Sequence, residues 1–216
     1  MHAPQGWTAV VPLKQPAAAK QRLAGLHAWR PALAHAFAAD VVTALLASHR
    51  VREVVIVGGD GLAPALLDLP EVHRIADVRG LNQAVEAGIA TARRPGPTGV
   101  LVLPADLPCL RPADVDLLLD ATPHQRARVL ADGDGIGTAA LVIPAGVTFA
   151  ARFGPGSYAR HLDAGAAPVE RGPATARRDV DTVEHLEIAR RLGVGPATSR
   201  VLAELDAVSE VPAVSG

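Results

Sequence analysis

The stretch Gly99-Val100-Leu101-Val102-Leu103-Pro104-Ala105-Asp106-Leu107-Pro108 decides the fold that this sequence predicts. Its first five residues contain no polar side chain, and a short run of this kind is typical of a strand covered on both faces of a sheet. The run ends at Asp106, which two prolines hold in a stiff segment of backbone. Ligands of open α/β sheets bind beyond the carboxyl ends of the strands, so Asp106 lies where chemistry is expected.

Strand and helix patterns alternate on both sides of this stretch. The predicted strands span residues 7–13, 53–57, 73–76, 99–103, 128–131, 138–143 and 167–170, and the predicted helices span residues 30–48, 62–67, 81–94, 111–121, 157–163 and 182–192. This alternation predicts an α/β fold with a mixed, mostly parallel sheet and helices on both faces. The strands that flank 132–137 have no long helix between them, which predicts an inserted antiparallel pair. A single domain is expected over residues 1–208, followed by a frayed tail at 209–216.

The composition of the 216-residue chain excludes several classes of protein. Its 49% hydrophobic and 20% charged residues predict a globular protein rather than a disordered one. The single cysteine, Cys109, excludes a disulfide framework and fits a cytoplasmic location. No apolar run reaches the roughly 18 residues of a membrane span, so no membrane partner is expected. The net charge of −1 and the 3% of aromatic residues give no basic field and no stacking platform for nucleic acid.

The segment after the first predicted strand carries Lys14, Lys20 and Arg22, and no acidic residue precedes Asp40. Only two of the 21 basic residues in the chain are lysines, and both lie in this segment. Uncompensated positive charge at the end of a buried strand suits a polyphosphate, although the glycine pattern of a Walker loop is absent. Lys14 and Arg22 are therefore predicted catalytic residues, and Lys20 is a predicted substrate contact. The alternative is the solvated basic start of a helix.

Two aspartates are the predicted ligands of a magnesium ion, and Asp106 is also a predicted catalytic residue. Mg²⁺ usually takes one or two protein carboxylates and keeps waters beside substrate phosphates. The alternative for Asp106 is a turn residue that hydrogen-bonds its own backbone. Asp179 is the second predicted ligand because it precedes a helix and has no capping role there. Asp181 fits either a metal ligand or a helix cap with Glu184, and Thr182 also fits the cap.

Two glycine-rich segments, 132–138 and 153–157, are candidate anion sites. Glycines allow backbone N–H groups to approach a ligand closely, and the second segment leads into a predicted helix whose N-terminus favours anions. Thr138 and Ser157 add hydroxyl donors. The alternative for both segments is an ordinary turn.

Asn82, at the start of the predicted helix 81–94, is a further candidate substrate contact. Its amide suits a nucleobase or a ribose, but residue type alone favours a helix cap.

Several other chemistries lack the residues that they need. The eight histidines show no metal-ligand spacing and are mostly expected on surfaces. No nucleophile elbow is present and Cys109 has no evident activator, so nucleophilic catalysis is not supported. No Gly-x-Gly-x-x-Gly follows the first strand, which argues against a Rossmann dehydrogenase.

Six motifs in order give the chain a family resemblance from about Trp7 to Leu192. It resembles the phospholactate or phosphoenolpyruvate guanylyltransferases of coenzyme F420 biosynthesis. The motifs are Val11-Pro12-Leu13-Lys14 with Ala19-Lys20-Gln21-Arg22-Leu23, Gly80-Leu81-Asn82, Leu103-Pro104-Ala105-Asp106-Leu107-Pro108, Gly135-Ile136-Gly137-Thr138, Phe153-Gly154-Pro155-Gly156-Ser157 and Arg178-Asp179-Val180-Asp181-Thr182.

The resemblance implies a nucleotide-diphospho-sugar-transferase-like (GT-A-like) fold, with GTP as substrate and Mg²⁺ as cofactor. By matching position, Asp106 and Asp179 would hold the metal, and Thr138, Gly154 and Ser157 would hold a phosphorylated three-carbon acid. The sequence has Ala139 where the family often has asparagine, which bears on the acceptor contacts around Thr138.

The implied reaction is transfer of GMP from GTP to the phosphate of a small phosphorylated carboxylic acid, with release of pyrophosphate. Phosphoenolpyruvate is favoured over 2-phospho-L-lactate by analogy with actinobacterial members, because the excess of Ala, Arg, Gly and Pro indicates a GC-rich gene. The alternatives are another GT-A-like nucleotidyltransferase with a molybdopterin or sugar-phosphate acceptor, and a nucleotide-binding module without turnover. Either a monomer or a homodimer is compatible with the sequence.

Overall fold

A computed structural model describes residues 6–13, 26, 28–59, 62–96, 98–120, 125–170 and 172–209. Its strands are β1 (Trp7–Pro12), β2 (Val51–Val57), β3 (Val72–Ile75), β4 (Gly99–Val102), β5 (Arg128–Ala131), β6 (Thr138–Ile143) and β7 (Ala167–Pro168). Its helices are α1 (Arg30–Leu46), α2 (Pro64–Leu67), α3 (Leu81–Ala92), α4 (Pro112–Asp120), α5 (Ser157–Asp163), α6 (Val183–Leu192) and α7 (Pro196–Ser209). The strands and the first six helices follow the predicted pattern, with small shifts at their ends.

The seven strands form one sheet in the order β3-β2-β1-β4-β6-β5-β7. Strands β1 to β4 pair in parallel, whereas β6 pairs antiparallel with both β4 and β5. The predicted antiparallel insertion is therefore confirmed, and it is the hairpin of β5 and β6. Because β6 runs against β4, its first residue, Thr138, lies at the same edge of the sheet as the carboxyl ends of β1 and β4.

Helices cover both faces of this sheet, as the sequence predicted. On one face Val41 and Leu45 of α1 belong to a buried apolar cluster with strand residues such as Ile56 and Leu101. On the other face α3 packs so closely that a Cβ atom at Gly88 would collide with Val10 of β1. The fold class is thus a mixed, mostly parallel α/β sheet between two helical layers.

Helix α7 is an element that the sequence analysis did not predict. Its first turn is bound by Asp40, a buried residue of α1, whose two carboxylate oxygens accept hydrogen bonds of 2.9 Å from the N–H groups of Ala197 and Thr198. This carboxylate caps the helix N-terminus from 157 residues away in sequence. Leu202 of α7 packs with Phe37 of α1 in a third apolar cluster. The predicted tail, 209–216, begins at the last residue of α7, and residues 210–216 lie outside the described part.

No helix in the described part of the chain combines the length and the apolar character that a membrane crossing requires.

Candidate active site

Asp106 lies on the loop that follows β4, and apolar anchors hold this loop in place. Leu103 and Leu107 are fully buried on either side of the half-buried aspartate. The Leu103 N–H continues the sheet pairing by donating to the Val10 carbonyl over 3.1 Å. The Pro108 carbonyl accepts a 2.8 Å hydrogen bond from the N–H of Gly195, just before α7. The burial of its neighbours therefore fixes the backbone at Asp106.

Asp179 lies on a segment that runs directly beside the Asp106 loop. The N–H of Val180 donates to the carbonyl of Asp106 over 3.0 Å, and Val180 is itself fully buried. The Oδ1 atoms of both aspartates are shielded from solvent. The structure thus places the backbones of the two predicted metal ligands side by side, although these residues lie 73 positions apart. We call Asp106 and Asp179 the carboxylate pair.

The carboxylate pair suits a hard divalent cation better than a soft one. Among the described residues, no group of three or more His, Cys, Asp or Glu side chains is arranged to hold a metal ion. Magnesium does not need such a group, because it takes one or two carboxylates and completes its shell with water and phosphate oxygens. The donor chemistry of the pair therefore fits Mg²⁺, and it does not fit a closed zinc site.

The structure assigns the cap of helix α6 to Thr182 and not to Asp181. The Thr182 hydroxyl accepts the N–H of His185 over 3.2 Å, which is the usual N-cap geometry. Hydrogen bonds from its own backbone N–H and from Thr182 lower the pKa of Glu184. The capping alternative for Asp181 is therefore wrong, because the neighbouring threonine already has that role.

The second half of the candidate site is a buried set of three polar side chains, Thr138, Ser157 and His161. The Thr138 hydroxyl lies 3.0 Å from Nδ1 of His161 and accepts a hydrogen bond of 2.9 Å from the Ser157 hydroxyl. All three residues are buried, and His161 has no exposed surface. We call these residues the hydroxyl–imidazole cluster. It joins the first residue of β6 to helix α5, at the same edge of the sheet as Asp106.

His161 stays uncharged in this environment. Burial, together with the nearby positive charges of Arg160 and Arg152, lowers its pKa to about 4. The ring packs edge-on against Phe153, with 5.2 Å between the ring centres, and lies 6.0 Å from Phe149. The prediction that the histidines lie mostly on surfaces is wrong for this one.

Asn82 holds the segment 153–157 and does not cap helix α3. Its amide makes a paired contact with one backbone unit: Oδ1 accepts the Phe153 N–H over 2.7 Å, and Nδ2 donates to the Phe153 carbonyl over 3.1 Å. The N-cap of α3 is Gly80. The capping interpretation of Asn82 is therefore wrong, because its amide is bonded to a segment 71 residues away. Asn82 as a substrate contact stays a prediction.

The loop 132–137 is organised by its own aspartate. Asp132 accepts N–H groups of Asp134, Ile136 and Gly137 at distances between 2.7 and 3.2 Å. These groups are occupied within the loop, so the predicted cradle of N–H donors for a ligand is wrong for this segment. A short carboxylate at the start of a glycine-rich turn competes effectively for nearby backbone donors.

The first N–H groups of α5 are likewise occupied, because they donate to backbone carbonyls. Ser157 N–H donates to the Gly154 carbonyl over 3.0 Å, and Tyr158 N–H donates to the Ile136 carbonyl over 3.2 Å. Gly154 and Gly156 have φ angles of 118° and 67°, a region that favours glycine. The expected anion site at this helix N-terminus is therefore not formed by these two N–H groups, and Ser157 adds a side-chain hydroxyl to the segment.

Lys14, Lys20 and Arg22 lie outside the described residues.

These segments are joined around one edge of the sheet. The guanidinium of Arg178 packs over Gly133, where a Cβ atom would collide with it, and lies 3.5 Å from the Asp134 carboxylate. The loop 132–137 is thereby linked to the Asp179 segment on one side and, through Tyr158, to α5 on the other. The carboxylate pair and the hydroxyl–imidazole cluster therefore belong to one continuous surface of loops.

A family model described as guanylyl transferase CofC like matches residues 7–168. The chain belongs to this family. The matched part of the chain contains every strand of the sheet and ends before Asp179. The family that the sequence analysis predicted is thereby confirmed.

Relatives of this CofC-like chain agree with the match. The phosphoenolpyruvate guanylyltransferase of Thermomonospora curvata is 41% identical over 208 residues, which cover 94% of this chain and 91% of the relative. The prediction of a nucleotidyltransferase enzyme is therefore confirmed.

Solved structures support the fold of this CofC-like protein. A protein of Desulfovibrio desulfuricans described as a nucleotide-diphospho-sugar transferase has a TM-score of 0.66 at 18% identity, covering 94% of this chain and 96% of its own. Rv0371c of Mycobacterium tuberculosis, solved in complex with manganese, has a TM-score of 0.53 at 18% identity, with 88% and 98% covered. The predicted nucleotide-diphospho-sugar-transferase-like fold is confirmed.

Sequence reasoning missed one member of the hydroxyl–imidazole cluster, His161, and two arginines near it. His161 follows Ser157 by four positions on a helix, a spacing that places both side chains on one face and could have been recognised. Arg152 and Arg160 lie close enough to affect the pKa of His161. They bring positive charge to this half of the site, which the motif spacing did not reveal.

Cys109 agrees with the prediction that it takes no part in nucleophilic catalysis. Burial raises the pKa of its thiol to about 11, and the thiol donates to the Ala189 carbonyl over 3.4 Å. At neutral pH it is a protonated, buried thiol and therefore a poor nucleophile.

Proposed function

We propose that this protein is a phosphoenolpyruvate guanylyltransferase that transfers GMP from GTP to the phosphate of phosphoenolpyruvate and releases pyrophosphate. The observation that carries the proposal is the 41% identity, over nearly the whole chain, to the enzyme of that name from Thermomonospora curvata. We infer from the family resemblance that the reaction belongs to coenzyme F420 biosynthesis, and the buried single cysteine supports a reducing, cytoplasmic compartment.

The carboxylate pair is the proposed site of the divalent cation, with Mg²⁺ as the expected ion. When bound there, the cation would neutralise charge on the triphosphate and on the departing pyrophosphate. The oxygen donors of Asp106 and Asp179 support this role, and the manganese complex of Rv0371c agrees with a divalent cation in this fold. Lys14, Lys20 and Arg22 are proposed to offset the remaining charge of the nucleotide.

The hydroxyl–imidazole cluster is the proposed site of the phosphorylated acid. Thr138 and Ser157 supply hydroxyl groups at the edge of the sheet, and Gly154, in a backbone conformation that favours glycine, lies next to Ser157 through the bond from the Ser157 N–H to its carbonyl. Arg152 and Arg160 place positive charge near this cluster, which suits an acceptor with several negative charges.

The proposed reaction needs positioning more than proton transfer. A phosphate oxygen of the acceptor attacks the α-phosphorus of GTP, the bond from the α-phosphorus to the bridging oxygen breaks, and pyrophosphate leaves with that electron pair. The attacking phosphate is already ionised at neutral pH, so a strong general base is unnecessary. Catalysis then depends on holding two anions together and neutralising their charge.

A pyrophosphate-release assay tests the proposal directly. The assay crosses GTP, ATP and CTP with phosphoenolpyruvate, 2-phospho-L-lactate and 3-phosphoglycerate, with Mg²⁺ present or replaced by EDTA. We expect release only with GTP, Mg²⁺ and an acceptor, and fastest with phosphoenolpyruvate. Release with another nucleotide would contradict GTP as the donor. Release far faster with 2-phospho-L-lactate than with phosphoenolpyruvate would contradict phosphoenolpyruvate as the acceptor. No release in any combination would reject the function.

A further inference from the structure

The hydrogen-bond pattern around His161 fixes which ring nitrogen carries the proton. The backbone N–H of Arg152 donates to Nε2 over 2.9 Å, so Nε2 has a free electron pair and carries no proton. A neutral imidazole has one proton, and that proton is therefore on Nδ1. Because burial lowers the pKa of His161 to about 4, the ring stays neutral throughout the physiological range.

This tautomer determines the direction of the next hydrogen bond. Nδ1–H lies 3.0 Å from the Thr138 hydroxyl oxygen and can only donate to it. The reverse direction would need a ring with no proton on either nitrogen, which does not occur near neutral pH. Thr138 is therefore an acceptor of the His161 proton.

A count of the hydrogens shows what the cluster offers a ligand. His161, Thr138 and Ser157 contribute three hydrogens, and the two internal hydrogen bonds use two of them. With Ser157 donating to Thr138, both lone pairs of the threonine oxygen are filled and its own hydrogen is left over. Beyond these two bonds, the Thr138 side chain makes no hydrogen bond to a described residue. One hydrogen of the cluster therefore remains as a donor that the two internal hydrogen bonds do not use.

We propose that His161 is a positioning residue that orients the Thr138 and Ser157 hydroxyls, so that the cluster donates a hydrogen bond to an anionic oxygen of the acceptor. This inference rests on the proposed function and extends it to a residue that touches no substrate. This remaining donor favours a ligand oxygen that can only accept, such as an ionised phosphate or carboxylate oxygen. The contacts with Phe149 and Phe153 hold the ring in the orientation that this role requires.

Two substitutions separate the two hydrogen bonds of the ring. His161→Asn places an amide N–H near the position of Nδ1 and keeps the donor to Thr138, but it loses the acceptor for Arg152 N–H. His161→Gln places an amide oxygen near the position of Nε2 and keeps that acceptor, but it loses the donor. Each variant therefore removes one buried hydrogen bond, and only His161→Gln removes the bond that the ring donates to Thr138.

We expect His161→Gln to raise the KM for phosphoenolpyruvate about tenfold, while His161→Asn raises it less than threefold. The KM for GTP should stay within twofold of wild type in both variants. Ser48→Ala is the matched control, since it removes a buried hydroxyl that donates to Asp116 at the opposite edge of the sheet. It should lower the melting temperature without changing either KM.

Three outcomes of these kinetics would overturn the proposal. The first is an equal rise in the acceptor KM in both His161 variants. The second is a parallel rise in the KM for GTP. The third is no change in any variant. Each would mean that His161 supports the fold alone or has no role in orienting the hydroxyls.

A measurement without turnover keeps this test separate from the proposed function. Long-range proton–nitrogen NMR correlations of the wild-type histidine rings should show His161 with its proton on Nδ1. A proton on Nε2 would overturn the inference even in an active enzyme. If wild type releases no pyrophosphate while the Nδ1–H tautomer is observed, the proposed function fails and the hydroxyl orientation stands.

Discussion

The two halves of the candidate site are built by opposite means. The carboxylate pair is positioned through the backbone, which is fixed by buried neighbours and by the bond from Val180 N–H to the Asp106 carbonyl. The hydroxyl–imidazole cluster is positioned through its side chains, which bond to one another in a buried, uncharged set. The first half concentrates negative charge, and the second lies near two arginines. Such a division suits a cation at one end and an anionic acceptor at the other.

The largest effect is expected from breaking the carboxylate pair. Asp106→Asn keeps the shape of the side chain and removes its charge, so kcat should fall by about 10³, which corresponds to roughly 4 kcal/mol of barrier. The measurement is pyrophosphate release at saturating Mg²⁺, GTP and phosphoenolpyruvate, with the melting temperature recorded in parallel. Asp116→Asn, which changes a carboxylate of α4 near the opposite edge, should leave kcat unchanged. Near-normal kcat in Asp106→Asn would remove Asp106 from the reaction.

The second effect concerns the charge of the cluster and appears in the stability of the fold. The pKa of His161 is about 4 in the folded state against an ordinary value of 6.5, so the unfolded chain binds a proton first as the pH falls. The stabilisation that the neutral His161 ring gives the folded state is complete above pH 6.5 and is lost as the pH falls through 4. We expect this one group to reduce the free energy of unfolding by about 3 kcal/mol between pH 7 and pH 4.

Urea unfolding of wild type and His161→Phe at both pH values measures this contribution. Carboxylates elsewhere affect both proteins alike, so the difference between the two isolates the histidine. An identical pH dependence in wild type and variant would show that His161 titrates normally.

The third effect removes the donor of the cluster. Thr138→Val preserves the shape of the side chain and deletes its hydroxyl, so the KM for phosphoenolpyruvate should rise about tenfold, as expected for one hydrogen bond to a charged group. Thr138→Ser restores the hydroxyl and serves as the control, with a KM near that of wild type. Steady-state kinetics with each substrate varied in turn decide the question. A larger change in the KM for GTP would assign Thr138 to the nucleotide instead.

The smallest effect tests the support of the cluster from α3. Asn82→Ala removes two hydrogen bonds to Phe153 and should lower the free energy of unfolding by about 1–2 kcal/mol, with a two- to fivefold rise in the KM for phosphoenolpyruvate. Gln83→Ala, at the exposed neighbouring position, is the control for the helix. A collapse of kcat in Asn82→Ala with unchanged stability would indicate direct contact with substrate.

The same comparison explains what could be predicted from the sequence. Asp106 and Asp179 could be proposed from the sequence because each lies beside a local signal, a buried strand for Asp106 and a helix start for Asp179, and their role as metal ligands stays a prediction. The partners within the cluster depend on pairing between β6 and α5. That pairing gives a buried role to His161, which has no distinctive neighbours in the chain.

Long-range hydrogen bonds account for the other errors. Asn82 has the residue type and position of a cap, yet its amide binds a backbone unit on a distant loop. The N-terminus of helix α7 is capped by Asp40 of another helix, so the sequence next to α7 did not show the cap. In loop 132–137 the error was of another kind, since the competing carboxylate is part of the motif itself. Residue types alone did not show whether the loop would bind a ligand or itself.

The hydrogen bond from Gly195 to Pro108 has a practical consequence for anyone who shortens this protein. The residues that lead into the last helix hold the loop of Asp106, because the Gly195 N–H binds the backbone carbonyl two positions after Asp106. A chain that stops before Gly195 would lose this hydrogen bond, and the buried Asp40 would lose the N–H donors of Ala197 and Thr198. Trimming the chain to this point is therefore expected to lower both turnover and the stability of the fold.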